Sequence, residues 1–285
     1  MPGPLLAVDA PSLLFRGYFA LPASIQDPDG HPVNGLLGMA NQVLQAVERY
    51  APRATVLCWG PDAAAYRVEL YPQYHAARPP VPDDLARQFG RAAAFFDAFG
   101  WTSLHGGELE ADDVLGALAR AEGGPVVLYT GDRDMFQCAS PDCTVLYPAK
   151  TGAEAIGPAE VRARYGIDPA QVPDFIALRG DPSDGLPGAK GIGEKTAAEL
   201  LREHGTLDAL LERAARFDLS LPKRAGQSLR DQADELRAFR HIATLQPVEL
   251  ERPPDRPLDP QGGAEAARAL GMERLAARLE ALARG

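Results

Sequence analysis

Cysteine is scarce in this 285-residue chain, which holds only Cys58, Cys138 and Cys143. No two are spaced as CxxC, and three cannot all pair with one another. That argues against a disulfide scaffold or a cysteine-built zinc site and favours free thiols in a reducing compartment. Long hydrophobic runs are also missing, and the apolar stretches fall far short of a membrane span. The opening MPGPLLAVDA has no basic region ahead of its apolar run, so no secretory signal is expected. Internal repeats are absent, and the only compositional bias is alanine near the C-terminus. An excess of basic charge is missing too: 29 basic against 39 acidic residues give a net charge of −10. Taken over the whole chain, that sign opposes general attraction to phosphate.

What is present is core material. Hydrophobic residues make up 46% of the chain, which excludes disorder and suffices for one large domain or two unequal ones. The charge is uneven. Residues 105–184 carry 6 basic and 14 acidic residues, whereas residues 190–230 carry 8 basic and 6 acidic. An acidic middle is therefore followed by a mildly basic segment.

Short apolar runs end in an acid or a glycine: Pro4–Val8 before Asp9, Thr55–Trp59 before Gly60, and Pro125–Tyr129 before Thr130-Gly131-Asp132. Helix-period stretches lie between them, at Gly35–Arg49, Asp83–Phe99 and Ala111–Ala121. Strands alternating with helices predict an α/β domain with a parallel-rich sheet, over residues 1–157. Tyr71–Asp84, rich in proline and aromatics, is expected to be a surface loop or arch. From about Gly157 helical patterns take over, at Pro158–Tyr165, Val172–Leu178, Glu194–Glu203, Leu207–Arg213 and Asp231–Thr244. Residues 158–285 are therefore read as a helical subdomain. Within it, Arg252–Gly263 is a proline-rich connector and Ala264–Ala283 a helical tail.

The acids form groups: Asp9; Glu110, Asp112 and Asp113; Asp132 and Asp134; Asp181 and Asp184. Singly, each could cap a helix or fill a turn. Together, at strand ends and adjoining turns, eight carboxylates would converge on one rim of a parallel sheet. Held there without a counter-ion they would repel. Oxygen-only ligands suit magnesium or manganese rather than zinc, and two such ions are a standard device for phosphodiester hydrolysis.

Residues 188–201, GAKGIGEKTAAELL, combine a Gly191-Ile192-Gly193 turn with a helix start near Glu194. Glycines let a phosphate approach the free amides at a helix start, while Lys190 and Lys195 add charge without base recognition. Thr196 belongs to the same unit. The segment reads as a helix–hairpin–helix that grips duplex DNA by its backbone.

These motifs resemble the 5′-nuclease domain of bacterial DNA polymerase I, within the flap endonuclease family. The resemblance rests on VDAPSLLFRGYFALP (8–22), YHAARPPVPDDL (74–85), ELEADDVLGALA (108–119), TGDRDMFQ (130–137) and ALRGDPSDGLPGAKGIGEKTAAELL (177–201). It implies a PIN-like α/β fold with an arch over the site and a helical DNA-binding subdomain. It implies metal-dependent 5′→3′ exonuclease and structure-specific flap cleavage of DNA, in replication or repair. By this likeness Asp9, Glu110, Asp112 and Asp113 form a first metal cluster, and Asp132, Asp134, Asp181 and Asp184 a second. Arg16, Arg67, Tyr74, His75 and Arg78 are placed along the DNA, and a potassium ion near Ser183 and Ile192. A cytoplasmic, nucleoid-associated stand-alone nuclease is expected, with monomer as the default state and a separate DNA polymerase as a candidate partner.

Two departures stand out. The family has Phe-Asp at the end of the second strand, where this chain has Trp59-Gly60, so a first-cluster carboxylate is missing and Asp62 arrives two residues late. The family also has a lysine after the arch tyrosine, where this chain has His75, mostly neutral at pH 7 at its ordinary pKa. Both changes keep open an alternative: a catalytically weakened, structure-specific DNA-binding protein. An RNA nuclease is opposed by the hairpin segment, and an aspartate phosphatase by Ala10-Pro11 after Asp9.

Overall fold

The computed structural model describes residues 3–150 and 152–284. The chain begins β1 (Leu5–Asp9), α1 (Ala10–Ala20), α2 (Asn34–Tyr50), β2 (Ala54–Trp59), α3 (Ala65–Leu70), α4 (Asp83–Asp97), β3 (Thr102–His105), α5 (Ala111–Ala121) and β4 (Val126–Tyr129). An antiparallel ribbon of β5 (Cys143–Ala149) and β6 (Gly152–Ile156) completes the sheet. Strand order is β3-β2-β1-β4-β5-β6, with every pairing parallel except the last. The predicted α/β class and parallel-rich sheet are therefore observed. The edge strands β3 and β6 have little apolar patterning, so periodicity in the sequence does not mark them.

β1, β2 and β4 are buried at every residue, as expected for central parallel strands covered on both faces. Their alternation feeds two cores. Leu5, Ala7, Val56, Val126 and Leu128 face one, and Leu6, Val8, Leu57, Val127 and Tyr129 the other. The first core continues through α5 into a helical region built from α6 (Pro158–Tyr165), α7 (Val172–Arg179), α8 (Glu194–His204), α9 (Leu207–Ala215), α10 (Lys223–Asp231) and α11 (Ala233–Ala243). The helix expected over Asp231–Thr244 is α11, which starts after Gln232; α10, just before it, has no counterpart among the expected helices.

The second core lies under α1, α2 and α4 and corrects the expected domain division. Residues 260–284 form α12 (Pro260–Ala269) and α13 (Glu273–Arg284), which turn back at Gly271. Ala267, Leu275, Ala276 and Leu279 pack in one core with Leu6, Val8, Phe96 and Trp101. The tail thus belongs to the α/β unit and not to the helical subdomain of 158–285. Its alanine- and leucine-rich stripe needs an apolar partner, and the free side of α4 supplies one. The connector is tied down on the way. Buried Arg53 pairs with Glu122, donates to the Pro253 carbonyl at 2.8 Å and to Asp255 at 2.8 Å.

Candidate active site

The order of the sheet places a topological switch between β1 and β4, where ligands gather beyond the carboxyl ends of the strands. Asp9 ends β1, and Thr130-Gly131-Asp132 follows β4. Asp9 also caps α1, accepting from the Ser12 amide at 3.0 Å. Its other oxygen accepts from the Thr130 hydroxyl at 2.6 Å, and the same hydroxyl accepts from the Asp132 amide at 3.0 Å. Thr130, fully buried, therefore spaces the acids of the two strands. Only its place between Gly131 and the strand end could have signalled this in the sequence.

Seven of the eight expected acids line one cavity of about 1160 Å³: Asp9, Glu110, Asp112, Asp132, Asp134, Asp181 and Asp184. Four of them share an unfavourable environment. Burial raises the carboxyls of Asp9, Asp112 and Asp134, those of Asp112 and Asp134 well above the usual range. Repulsion from Asp132 pushes Asp112 and Asp134 further. Asp132 itself is raised to about 7, by burial and then by Asp184. One oxygen of Asp112 is buried with no hydrogen-bond partner. Such an arrangement favours a cation.

The donor set fits a hard divalent ion, since every candidate is a carboxylate oxygen. Among the described residues, no group of three acids is already arranged to hold one. Two of the acids turn an oxygen onto a protein donor: Asp132 accepts from the Asp134 amide at 2.7 Å, and Asp181 from the Ser183 amide at 2.8 Å.

The remaining acids are matched by protein cations. Glu110 pairs with Arg67 at 2.7 Å and accepts from the Ala64 amide at 2.7 Å and the Tyr74 hydroxyl at 3.1 Å. Asp181 pairs with Arg179 at 3.2 Å and Asp184 with Arg78 at 3.4 Å, while a His75 ring nitrogen stands 3.0 Å from Asp184. Asp113 is a correction. It is fully buried and does not line the cavity. It takes Arg67 at 3.1 Å, the Gln246 amide at 2.7 Å and the Glu110 amide at 3.2 Å. Glu110 and Asp113 close a reciprocal cap on α5, and a third residue of that turn must point inward.

Gly60 is explained by packing. A side chain there would put its Cβ 2.5 Å from the Leu109 carbonyl oxygen and 2.7 Å from the Ala111 amide. The 106–110 loop closes on the end of β2, with the Gly106 amide bonded to the Trp59 carbonyl at 3.0 Å. Asp62 does not fill the gap; its carboxylate takes Arg78 at 2.9 Å.

Several residues expected along DNA are placed differently. Arg67 is 3% exposed and satisfied by Glu110, Asp113 and the Ile242 carbonyl, so it supports the site rather than a phosphate. Tyr74 is also buried, with its ring under His75, and has no face free for a base. Arg78 is exposed at the cavity, and Arg16 is exposed near Ala149, outside the cavity lining. The hairpin segment has a turn ahead of a helix that starts at Glu194. Lys190, Gly191, Gly193 and Lys195 are exposed, Thr196 is half-buried, and Ile192 turns into the core. Gly193 caps α8 with no side-chain bond, which leaves the first amides of that helix to an anion. Ser183 bonds to Asp181, so its hydroxyl is committed to the acidic loop. Arg179, missed by the sequence reading, links that loop to Glu194 of α8.

Residues 4–166 match the 5′-3′ exonuclease N-terminal resolvase-like domain, and residues 167–257 the 5′-3′ exonuclease C-terminal SAM fold. A 5′-3′ exonuclease of Mycobacterium tuberculosis is 38% identical over 313 residues, covering 98% of both chains. The thermostable DNA polymerase I of Thermus thermophilus is 36% identical over 264 residues; the match covers 89% of this chain but 31% of that one. The fold is shared with a bacteriophage T5 flap endonuclease solved as a pseudo-enzyme-product complex with DNA and metal ions. That likeness has a TM-score of 0.67 at 19% identity, over 99% of each chain. The chain belongs to the 5′-3′ exonuclease family of phosphodiester-cleaving nucleases.

Proposed function

We propose that this chain cuts DNA from the 5′ side, as a 5′→3′ exonuclease and structure-specific flap endonuclease that uses magnesium or manganese. The observation that carries the reading is one cavity lined by seven of the eight expected carboxylates, four of them raised by burial and three of those further by repulsion. Asp9, Asp112, Asp132 and Asp134 would hold the ion or ions, with Asp181 and Asp184 reaching in from the loop before the hairpin. When bound, such ions make water a stronger nucleophile and neutralise charge on the attacked phosphate. Thr130 keeps Asp9 and Asp132 in register, and Arg67 holds Glu110 and the start of α5.

Duplex DNA would rest on the amides of Gly191 and Gly193 with Lys190 and Lys195, contacts that read backbone and not sequence. The 5′ strand would run beneath residues 71–82, with Arg78 on a phosphate. A potassium ion at the hairpin would use main-chain oxygens around Ser183 and Ile192. We extend the reading to a cytoplasmic monomer working beside a separate polymerase.

The weakened, binding-only alternative draws on one observation: the carboxylate missing at residue 60 has no room to be there. A 5′-labelled flap duplex with magnesium, and separately manganese, decides between them. Cleavage abolished by Asp132→Ala establishes the nuclease. Tight flap binding with no cleavage, at enzyme excess and with either metal, establishes the alternative.

A further inference from the structure

We infer that Asp62 is a counter-ion that holds the arch closed on the acidic loop until a DNA phosphate takes its place on Arg78. The inference deepens the nuclease reading and rests on it for the identity of the opener.

The arch does not float over the cavity; it is docked on residues 184–185. The His75 amide donates to the Asp184 carbonyl at 3.2 Å. Gly185, at φ 77°, admits the Gln73 carbonyl oxygen, which would stand 2.8 Å from any Cβ there. His75 itself has φ 54°, an uncommon conformation for a residue with a side chain and one that surroundings must hold in place. Its ring bridges two segments, with Nδ1 2.6 Å from the Asp62 carbonyl oxygen and Nε2 3.0 Å from Asp184. Beside it, the Arg78 guanidinium is shared. One nitrogen donates to the Asp62 carboxylate at 2.9 Å, the other to Asp184 at 3.4 Å.

Two carboxylates thus occupy the fork of an arginine that faces the cavity. A phosphodiester presents two oxygens to such a fork and competes for the same donors. The side chain of Asp62 is 61% exposed, so its pairing is screened and weakly held, whereas that of Asp184 is 10% exposed. Asp62 is the partner that yields first. Losing it frees the Arg78 fork for phosphate, loosens the arch from the residue 62 side and releases Asp184 toward the cavity.

Two measurements on the full chain test this, with Asp62→Asn as the variant, because it keeps the shape and removes the charge. Without DNA, amide hydrogen exchange over residues 73–78 should be faster in Asp62→Asn than in the wild type; equal exchange overturns the inference. With a 5′-flap duplex in EDTA, the variant should bind roughly two- to five-fold more tightly. In an Arg78→Ala background that gain should vanish. A gain that persists there, or an equal gain from Asp84→Asn at the far end of the arch, reduces Asp62 to bulk charge and overturns the inference. Faster exchange with no flap binding by either protein leaves the closure intact and sinks the DNA reading instead, and with it the proposed opener.

Discussion

Glu110 and Asp112 are two residues apart on the same helix start, yet their surroundings are opposite. Glu110 has a guanidinium, a phenol and an amide on its oxygens. Asp112 has a buried oxygen with no partner and acidic neighbours at Asp9 and Asp132. The contrast extends along the rim. Asp9, Asp112, Asp132 and Asp134 are raised by burial, and among the described residues no basic side chain pairs with them, while Glu110, Asp113, Asp181 and Asp184 each have one. Helix phase and loop packing have divided one acidic pattern into two jobs. The matched acids fix the frame; the unmatched ones carry the unrelieved charge that a metal ion would answer.

The largest effect should come from breaking the unmatched set. Asp134→Asn is expected to cut the cleavage rate on the order of 10²–10³-fold or more, as loss of transition-state electrostatics does, with flap affinity in EDTA retained. A rate within a few-fold of wild type would move Asp134 to the supporting set. On the matched side, Arg67→Met leaves Glu110 and Asp113 buried without their cation. It should cost about 3–5 kcal/mol in denaturant unfolding, since breaking one partner of a buried pair strands the other.

Gly60→Asp sharpens the comparison at the missing position. The new side chain meets the 109–111 backbone, so a destabilisation of about 1–3 kcal/mol and no gain in cleavage are expected. Higher activity would show that the 106–110 loop can yield.

The pH dependence of stability follows from Asp132. Its carboxyl is raised from 3.8 to about 7 in the folded protein, so the native state binds the proton more tightly than the unfolded chain does. Its contribution is present below pH 4 and lost as pH rises through 7. Without divalent ions, the melting temperature of Asp132→Asn should therefore gain on that of the wild type between pH 4 and 7. Added magnesium should close the gap by stabilising the ionised wild type. A constant difference across that window would contradict the raised carboxyl. The smallest effect is expected outside the rim. Lys195→Ala, at a fully open side chain, should lower the salt slope of flap binding by about one ion.

Much of this is legible in the sequence. The apolar runs ending at Asp9 and before Thr130 could only be buried parallel strands, and such strands deliver their last residues to one rim. The GAKGIGEK segment also announced its own turn and helix start, because glycine freedom and amide exposure are local properties. The tail was legible as helix but not as a partner of α4, since an alanine-rich stripe does not name the surface that covers it.

The sequence by itself therefore determined the central strands β1, β2 and β4, the acidic rim and the hairpin, all of which follow from periodicity and local chemistry. Only the tertiary structure decided which acids are matched. Arg67 reaches Glu110 and Asp113 across 43 and 46 positions, and Arg78 reaches Asp184 across 106. Such pairings depend on which side chains packing buries together. Arg67, Asp113 and Tyr74 read as functional in the chain and became the support of the site for that reason. Asp62, in the chain only a carboxylate two residues late, acquires its arginine partner from the arch that rests beside it.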